Sequence, residues 1–259
     1  MKRTERHQLK ENEVALVVAQ VKETLETYKR EVTAGLVAIA IGIAALSGYL
    51  YWRQHVDQAS RTLLADAMAV AGASVVPPSP LAPPAVPGTP PTPATLATPA
   101  APPPGSFPSE QAKLDVALTK FMATANTYPS TTAGIAARYE AAATLAALGR
   151  IPEAIRRYQE VIDRASTSIY ADTARLGLAD AQVRAGQFDA AIAGYKALAS
   201  AADGKMPLDG VLMQLGRACA AAGKAGDARL AFQRIVDEFP QSSYAALARK
   251  ELDSAKTTG

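Results

Sequence analysis

The chain has 259 residues, and its 27 basic and 24 acidic side chains are intermixed to a net charge of +3, which points to neither a nucleic-acid nor an acidic partner. The single Cys219 excludes an internal disulfide framework. With His7 and His55 as the only histidines, no His-based triad or His-rich metal site is expected. No Gly-rich phosphate loop or GxSxG elbow is present, so the chain reads as no enzyme, with no cofactor and no metal.

Residues 1–31 form a charged leader. From Val14 onward, Val14, Val18, Val21, Leu25, Tyr28 and Val32, the first residue past the leader, are spaced 4, 3, 4, 3 and 4, a heptad pattern. That pattern suits a short coiled coil or a docking helix for a cytoplasmic partner. It equally suits an amphipathic helix lying on a membrane surface.

Residues 32–52, VTAGLVAIAIGIAALSGYLYW, carry no charge over 21 positions. A helix rising 1.5 Å per residue covers about 30 Å over that length, the thickness of a bilayer's hydrocarbon core. Tyr49, Tyr51 and Trp52 gather at its end, where amphipathic rings settle at headgroup level. The stretch therefore reads as a transmembrane helix. A cleaved signal peptide fits less well: leader and apolar run are both long, and Ala71-Gly72-Ala73, the nearest small-x-small site, lies too far on. Seven Lys and Arg precede the span, whereas only Arg53 and Arg61 occur between 53 and 108, which favours a cytoplasmic N-terminus. Ala34, Ala38 and Gly42 make a small-xxx-small ridge, so homo-oligomer formation stays open, although Ala-rich spans show such ridges by chance.

Residues 53–73 read as a juxtamembrane helix. Residues 74–109 read as a Pro-rich disordered linker, since 14 of the chain's 18 prolines fall between 75 and 108. At about 3 Å per residue such a tether reaches roughly 100 Å.

The remainder, 110–259, contains a period. Gly149, Gly186 and Gly223 are separated by 37 and 37, and Ala154, Ala191, Ala228 and Tyr158, Tyr195, Phe232 keep the same interval. A fixed period of this size means stacked supersecondary units. Each unit reads as helix, Gly-containing turn, helix, with Gly ending the first helix in a left-handed turn and Pro152 suiting the next helix's first turn. Small residues mark the crossings: Ala142, Ala179 and Gly216 in first helices, Ala154, Ala191 and Ala228 in second helices. Stepping back one period lands on Ala117 and Phe121, which predicts a second helix at about 110–127. Its first helix could be 53–73, with the Pro-rich stretch inserted in the turn. Stepping forward predicts a capping helix at about 241–256.

These positions resemble the tetratricopeptide repeat, in Leu178-Ala179…Gly186…Ala191…Tyr195 and Leu215-Gly216…Gly223…Ala228…Phe232. The closing Pro of that pattern survives in Tyr128-Pro129 and Phe239-Pro240, while Ser166 and Asp203 replace it elsewhere. The expected fold is all-α: one transmembrane helix, a Pro-rich linker and a tetratricopeptide-like α-solenoid of helical hairpins. The layout of leader, uncleaved span, Ala59-Ser60 helix and Ala-rich repeats also resembles the ancillary Sec translocon subunit family, from which the Pro-rich insertion departs. That resemblance implies a single-pass inner-membrane protein with periplasmic repeats that links the Sec translocon to periplasmic chaperones. Residues 128–137 and 239–248 are similar instead to repeats of periplasmic cell-division coordinators and outer-membrane assembly lipoproteins, which implies a structural role in the envelope.

Repeats of this type bind proteins or extended peptide segments on the concave face lined by first helices. By alignment that face holds Tyr139, Leu176, Asp180, Arg184, Met213 and Arg217. A carboxylate clamp is excluded, because Asn12 and Asn126 are the only asparagines.

Overall fold

The computed structural model describes residues 29–77, 105–165, 169–201 and 206–257. The heptad at 14–28, most of the Pro-rich stretch, Ser166 and Asp203 lie outside the described residues. Among the described residues there are nine helices: α1 (Lys29–Ala71), α2 (Glu110–Thr127), α3 (Thr132–Ala147), α4 (Ile151–Arg164), α5 (Ile169–Arg184), α6 (Phe188–Ser200), α7 (Leu208–Ala221), α8 (Ala225–Glu238) and α9 (Ala245–Thr257). The chain divides into two compact units, with the boundary after His55, inside α1.

In the first unit, every described side chain from Arg30 to His55 is exposed. Leu36, Ile39, Ile41 and Ile43 each present about three fifths of their surface. The helix is long and apolar enough to cross a membrane. Its hydroxyls turn back on their own backbone, Ser47 Oγ to the Ile43 carbonyl at 2.7 Å and Thr33 Oγ1 to the Arg30 carbonyl at 3.1 Å. Such back-bonding satisfies the hydroxyls within the helix's own backbone.

The second unit starts with the remainder of α1. Ser60 and Ala67 are fully buried there, Leu64, Val70 and Ala71 pack on the same core as Phe121 and Ala141, and Asp66 pairs with Lys120 of α2. Residues 56–71 therefore serve as the first helix of a hairpin with α2. The chain leaves α1 and enters α2 at one place: a parallel bridge joins Val75 to Phe107, with Phe107 N–H donating to the Ser74 carbonyl (3.0 Å) and Val76 N–H to the Phe107 carbonyl (2.9 Å). Residues 77 and 105 thus flank the turn of the first hairpin, the place where the sequence allows the Pro-rich stretch to be inserted.

Three hairpins follow, α3–α4, α5–α6 and α7–α8, and α9 closes the array. Their turns are the same Schellman arrangement. Gly149, Gly186 and Gly223 take φ of 76°, 74° and 72°. The next N–H reaches back to the first helix each time: Arg150 to Leu145 O (2.9 Å), Gln187 to Gln182 O (2.8 Å) and Lys224 to Cys219 O (2.8 Å). Only glycine adopts that φ without steric cost, which is why it recurs with the period. Behind the turns, Ala117, Ala154, Ala191 and Ala228 are buried where paired helices cross, and Phe121, Tyr158, Tyr195 and Phe232 fill the space beside them. Two core clusters share α5 and run the length of the stack.

Two details fix the array's ends. Buried Arg138 donates through Nη2 to the Ala125 carbonyl at 2.8 Å, holding α3 against the end of α2. At the other end Ser242 donates to Asp209, Tyr244 lies over Gly210, and Ala245 and Ala248 are buried.

Candidate protein-binding surface

Successive first helices touch one another, α3 with α5 and α5 with α7, so they line the inner side of the stack. On that side α3 places Tyr139 and Glu140 next to each other, both half-buried. The Tyr139 ring is tilted against Tyr158 of α4 (centroids 5.9 Å, 56°) and Tyr170 of α5 (6.3 Å, 49°). Tilted rings at these distances lie within the range of favourable aromatic contact. Asp180 of α5, also half-buried, accepts a hydrogen bond from the Tyr195 hydroxyl.

Tyr158 reaches this place because position 177 is glycine. A Cβ at Gly177 would lie 2.6 Å from Tyr158 Cε1 and Cζ and 2.9 Å from its hydroxyl oxygen. The ring therefore lies over the α5 backbone. Burial sets the electrostatics. It pushes the Glu140 and Asp180 carboxyls above their ordinary values, with the Tyr195 hydrogen bond working the other way on Asp180. Burial, then neighbouring acidic groups, lifts Tyr139, and lifts Tyr158 well beyond the usual tyrosine range. Both tyrosines are neutral hydrogen-bonding groups at any physiological pH.

The six residues expected on this face separate. Tyr139 and Asp180 belong to the cluster. Arg184 is exposed at its edge, where Nη1 donates to the Ala146 carbonyl at 2.7 Å and bridges the ends of α5 and α3. Leu176 is half-buried against the second core cluster, and Arg217 is exposed one repeat along from Asp180. Met213 is a correction. It is fully buried together with Val211 and Leu212, because the closing segment at Ser242 and Tyr244 packs on the start of α7. Glu140, Tyr158 and Tyr170 were not expected there. Glu140 has Gly177 and Gln214 as its register mates, so no periodic signal marks it.

A second concavity of about 270 Å³ opens on the opposite side, between α6 and α8. Leu212 and Leu215 floor it, and Leu230, Lys196, Asp227 and Arg234 rim it. The Lys196–Asp227 pair at 3.0 Å crosses its mouth. Among the described residues, no group of three or more His, Cys, Asp and Glu side chains could hold a metal ion.

Helical hairpins with glycine-ended first helices, stacked on small crossing residues, coincide with two family matches described as tetratricopeptide repeat, over residues 139–207 and 211–242. The hairpins within residues 139–242 match the tetratricopeptide repeat. Among solved structures, the array is similar to the nearly identical TPR-like repeats assigned to a kinesin light chain of Podosopora anserina. The two are 15% identical over 56% of this chain and 78% of that one, with a TM-score of 0.50. A tetratricopeptide repeat protein of Parabacteroides merdae is 16% identical over 57% of this chain and 56% of that one, with a TM-score of 0.48. At 15% identity the first of these likenesses speaks for the fold alone. No curated protein sequence matches the chain. A tetratricopeptide array generally acts as a protein-interaction scaffold rather than as an enzyme.

Proposed function

We propose that the protein is a membrane-anchored scaffold that holds an extended segment of a partner protein along the inner face of its tetratricopeptide array, outside the cytoplasm. The observation that carries the anchoring is the first unit of α1, whose leucines and isoleucines are exposed on every side. An apolar surface of that extent in water is an association or membrane site. A bilayer fits a single helix of this length, and the charge asymmetry around it favours a cytoplasmic N-terminus.

The finer form of this reading places the array beside the Sec translocon, passing emerging chains or recruiting periplasmic chaperones. The layout of leader, span and repeats supports it. A second reading, coordination of envelope or cell-division machinery, draws on the Tyr128-Pro129 and Phe239-Pro240 segments. Crosslinking from intact membranes separates the two: Sec components support the first, and Tol or outer-membrane assembly proteins the second.

The primary test is topology. A reporter active only outside the cytoplasm, fused after Gly259 and expressed in a Gram-negative host, is expected to be active in the membrane fraction. A stable but silent fusion would refute the extracytoplasmic assignment. Release of the protein by alkaline carbonate would refute the anchor.

A further inference from the structure

We infer that Glu140, Asp180, Tyr139, Tyr158 and Tyr170 form a subsite for a basic side chain, a lysine ammonium or an arginine guanidinium, carried by the bound segment. The inference rests on the scaffold reading above and specifies what one position of its inner face recognises.

Three independent observations converge on it. The first is a set of two half-buried carboxylates, one from each of two helices, that both border Tyr139 and Tyr158. Glu140 accepts no side-chain or backbone hydrogen bond through its carboxylate among the described residues, and Asp180 uses only Oδ1, toward Tyr195. Among the described residues, the cation that acts on the cluster is Arg184, which stands exposed at the edge and is engaged with the Ala146 carbonyl. Two acids against one arginine leave the place net negative.

The second observation is Tyr158. The residue is only 5% exposed, yet its hydroxyl has no hydrogen-bond partner among the described residues. No side-chain nitrogen or oxygen there is both buried and unsatisfied, so this hydroxyl opens to solvent at the cluster. A tyrosine threaded over a glycine to reach an open acidic site, rather than hydrogen-bonded into the core as Tyr195 is, presents an acceptor for an incoming donor.

The third is the arrangement of rings. Tyr139 is tilted at 56° and 49° to its two neighbours, so aromatic faces and hydroxyls border the same space. Aromatic faces attract cations, and partial desolvation strengthens that attraction. Carboxylates, hydroxyl acceptors and ring faces together are complementary to a multiply donating cation, and they repel an acidic side chain. One period further on, the Asp180 position becomes Arg217, so the preference for a base is confined to the repeat around α3–α5.

The experiment uses the full chain reconstituted in nanodiscs. Four fluorescein-labelled decapeptide libraries, with a central Lys, Arg, Gln or Glu and otherwise random, are titrated by anisotropy. The Lys and Arg libraries are expected to bind on the order of tenfold more tightly than Gln, with Glu weakest. The preference should vanish in Glu140→Gln/Asp180→Asn and weaken several-fold in Tyr158→Phe, while Arg217→Gln retains it. Circular dichroism and thermal unfolding of each variant confirm that its array is intact, and should the double variant fail to fold, Tyr158→Phe alone carries the comparison. Equal binding of the Lys and Gln libraries, or a basic preference unchanged in the intact variants, overturns the subsite and leaves the scaffold standing. Binding of no library overturns both.

Discussion

Gly216 offers a sharp test of how the array is packed. It occupies the crossing position held by Ala142 and Ala179 in the preceding first helices, and alanine there would ordinarily be the better helix residue, by about 0.5–1 kcal/mol. Here the Phe232 ring has moved into the vacated space: a Cβ at 216 would lie 2.4 Å from its Cε1 and 2.7 Å from Cδ1 and Cζ. Both residues are buried, so the ring cannot swing into solvent. Overpacking of a filled core costs about 1–3 kcal/mol. Subtracting the propensity gain leaves Gly216→Ala destabilised by about 1–2 kcal/mol, or a few degrees in midpoint for a domain of this size. Thermal and denaturant unfolding of the full chain, followed by far-UV circular dichroism, reads it. A variant as stable as the parent, or more so, would show that Phe232 can take the register of Tyr158 and Tyr195. The tight third crossing would then not be a constraint.

Other outcomes follow from the same geometry. Gly186→Ala, at φ 74°, should lose about 1–2 kcal/mol, whereas Gly226→Ala in α8, with nothing near its Cβ, should gain up to about 1 kcal/mol; unfolding midpoints of the pair check both. A double-mutant cycle on the exposed Lys196–Asp227 pair should return about 0.2–1 kcal/mol at low ionic strength and shrink in salt. Because burial raises the Glu140 and Asp180 carboxyls, the folded chain holds protons that the unfolded chain has released. Their contribution favours folding below the ordinary carboxylate range and is lost as pH rises through the raised values. Glu140→Gln should therefore be more stable than the parent at neutral pH and lose less stability from about pH 4 to 7; unfolding at a series of pH values decides it. Cys219 is fully enclosed, and burial pushes its thiol up. It should resist a thiol reagent in the native protein and react at the rate of unfolding.

The stacking was legible because it depends on features that repeat: a φ that only glycine takes readily, a crossing that only a small residue fits, a ring beside it. Stepping one period back from Ala154 and Tyr158 located α2 through Ala117 and Phe121, and both are buried as the register requires. What was not legible is whatever breaks the period. Met213 shares a register with Tyr139 and Leu176, but the closing segment covers α7 and not α3 or α5, so one alignment column passes from half-buried to enclosed. Glu140 occurs once, and nothing in one sequence marks a singular residue. Tyr158 recurs with Tyr195 and Phe232, and that period marks it only as a ring that fills space. Its ring does so, but the way its hydroxyl emerges depends on Gly177, which lies outside the repeating small positions.

The bridge between Val75 and Phe107 has a topological consequence. It turns the stretch between residues 77 and 105 into a side loop whose two feet stand together. Lengthening such a loop is cheap, since each doubling adds only about 0.6 kcal/mol of closure entropy. Its length can drift over generations while the register of the repeats stays fixed. A cut within it is expected to break the polypeptide and leave the hairpin, because the burial of Ser60 and Ala67 and the pairing of Asp66 with Lys120 join the helices on either side of the loop.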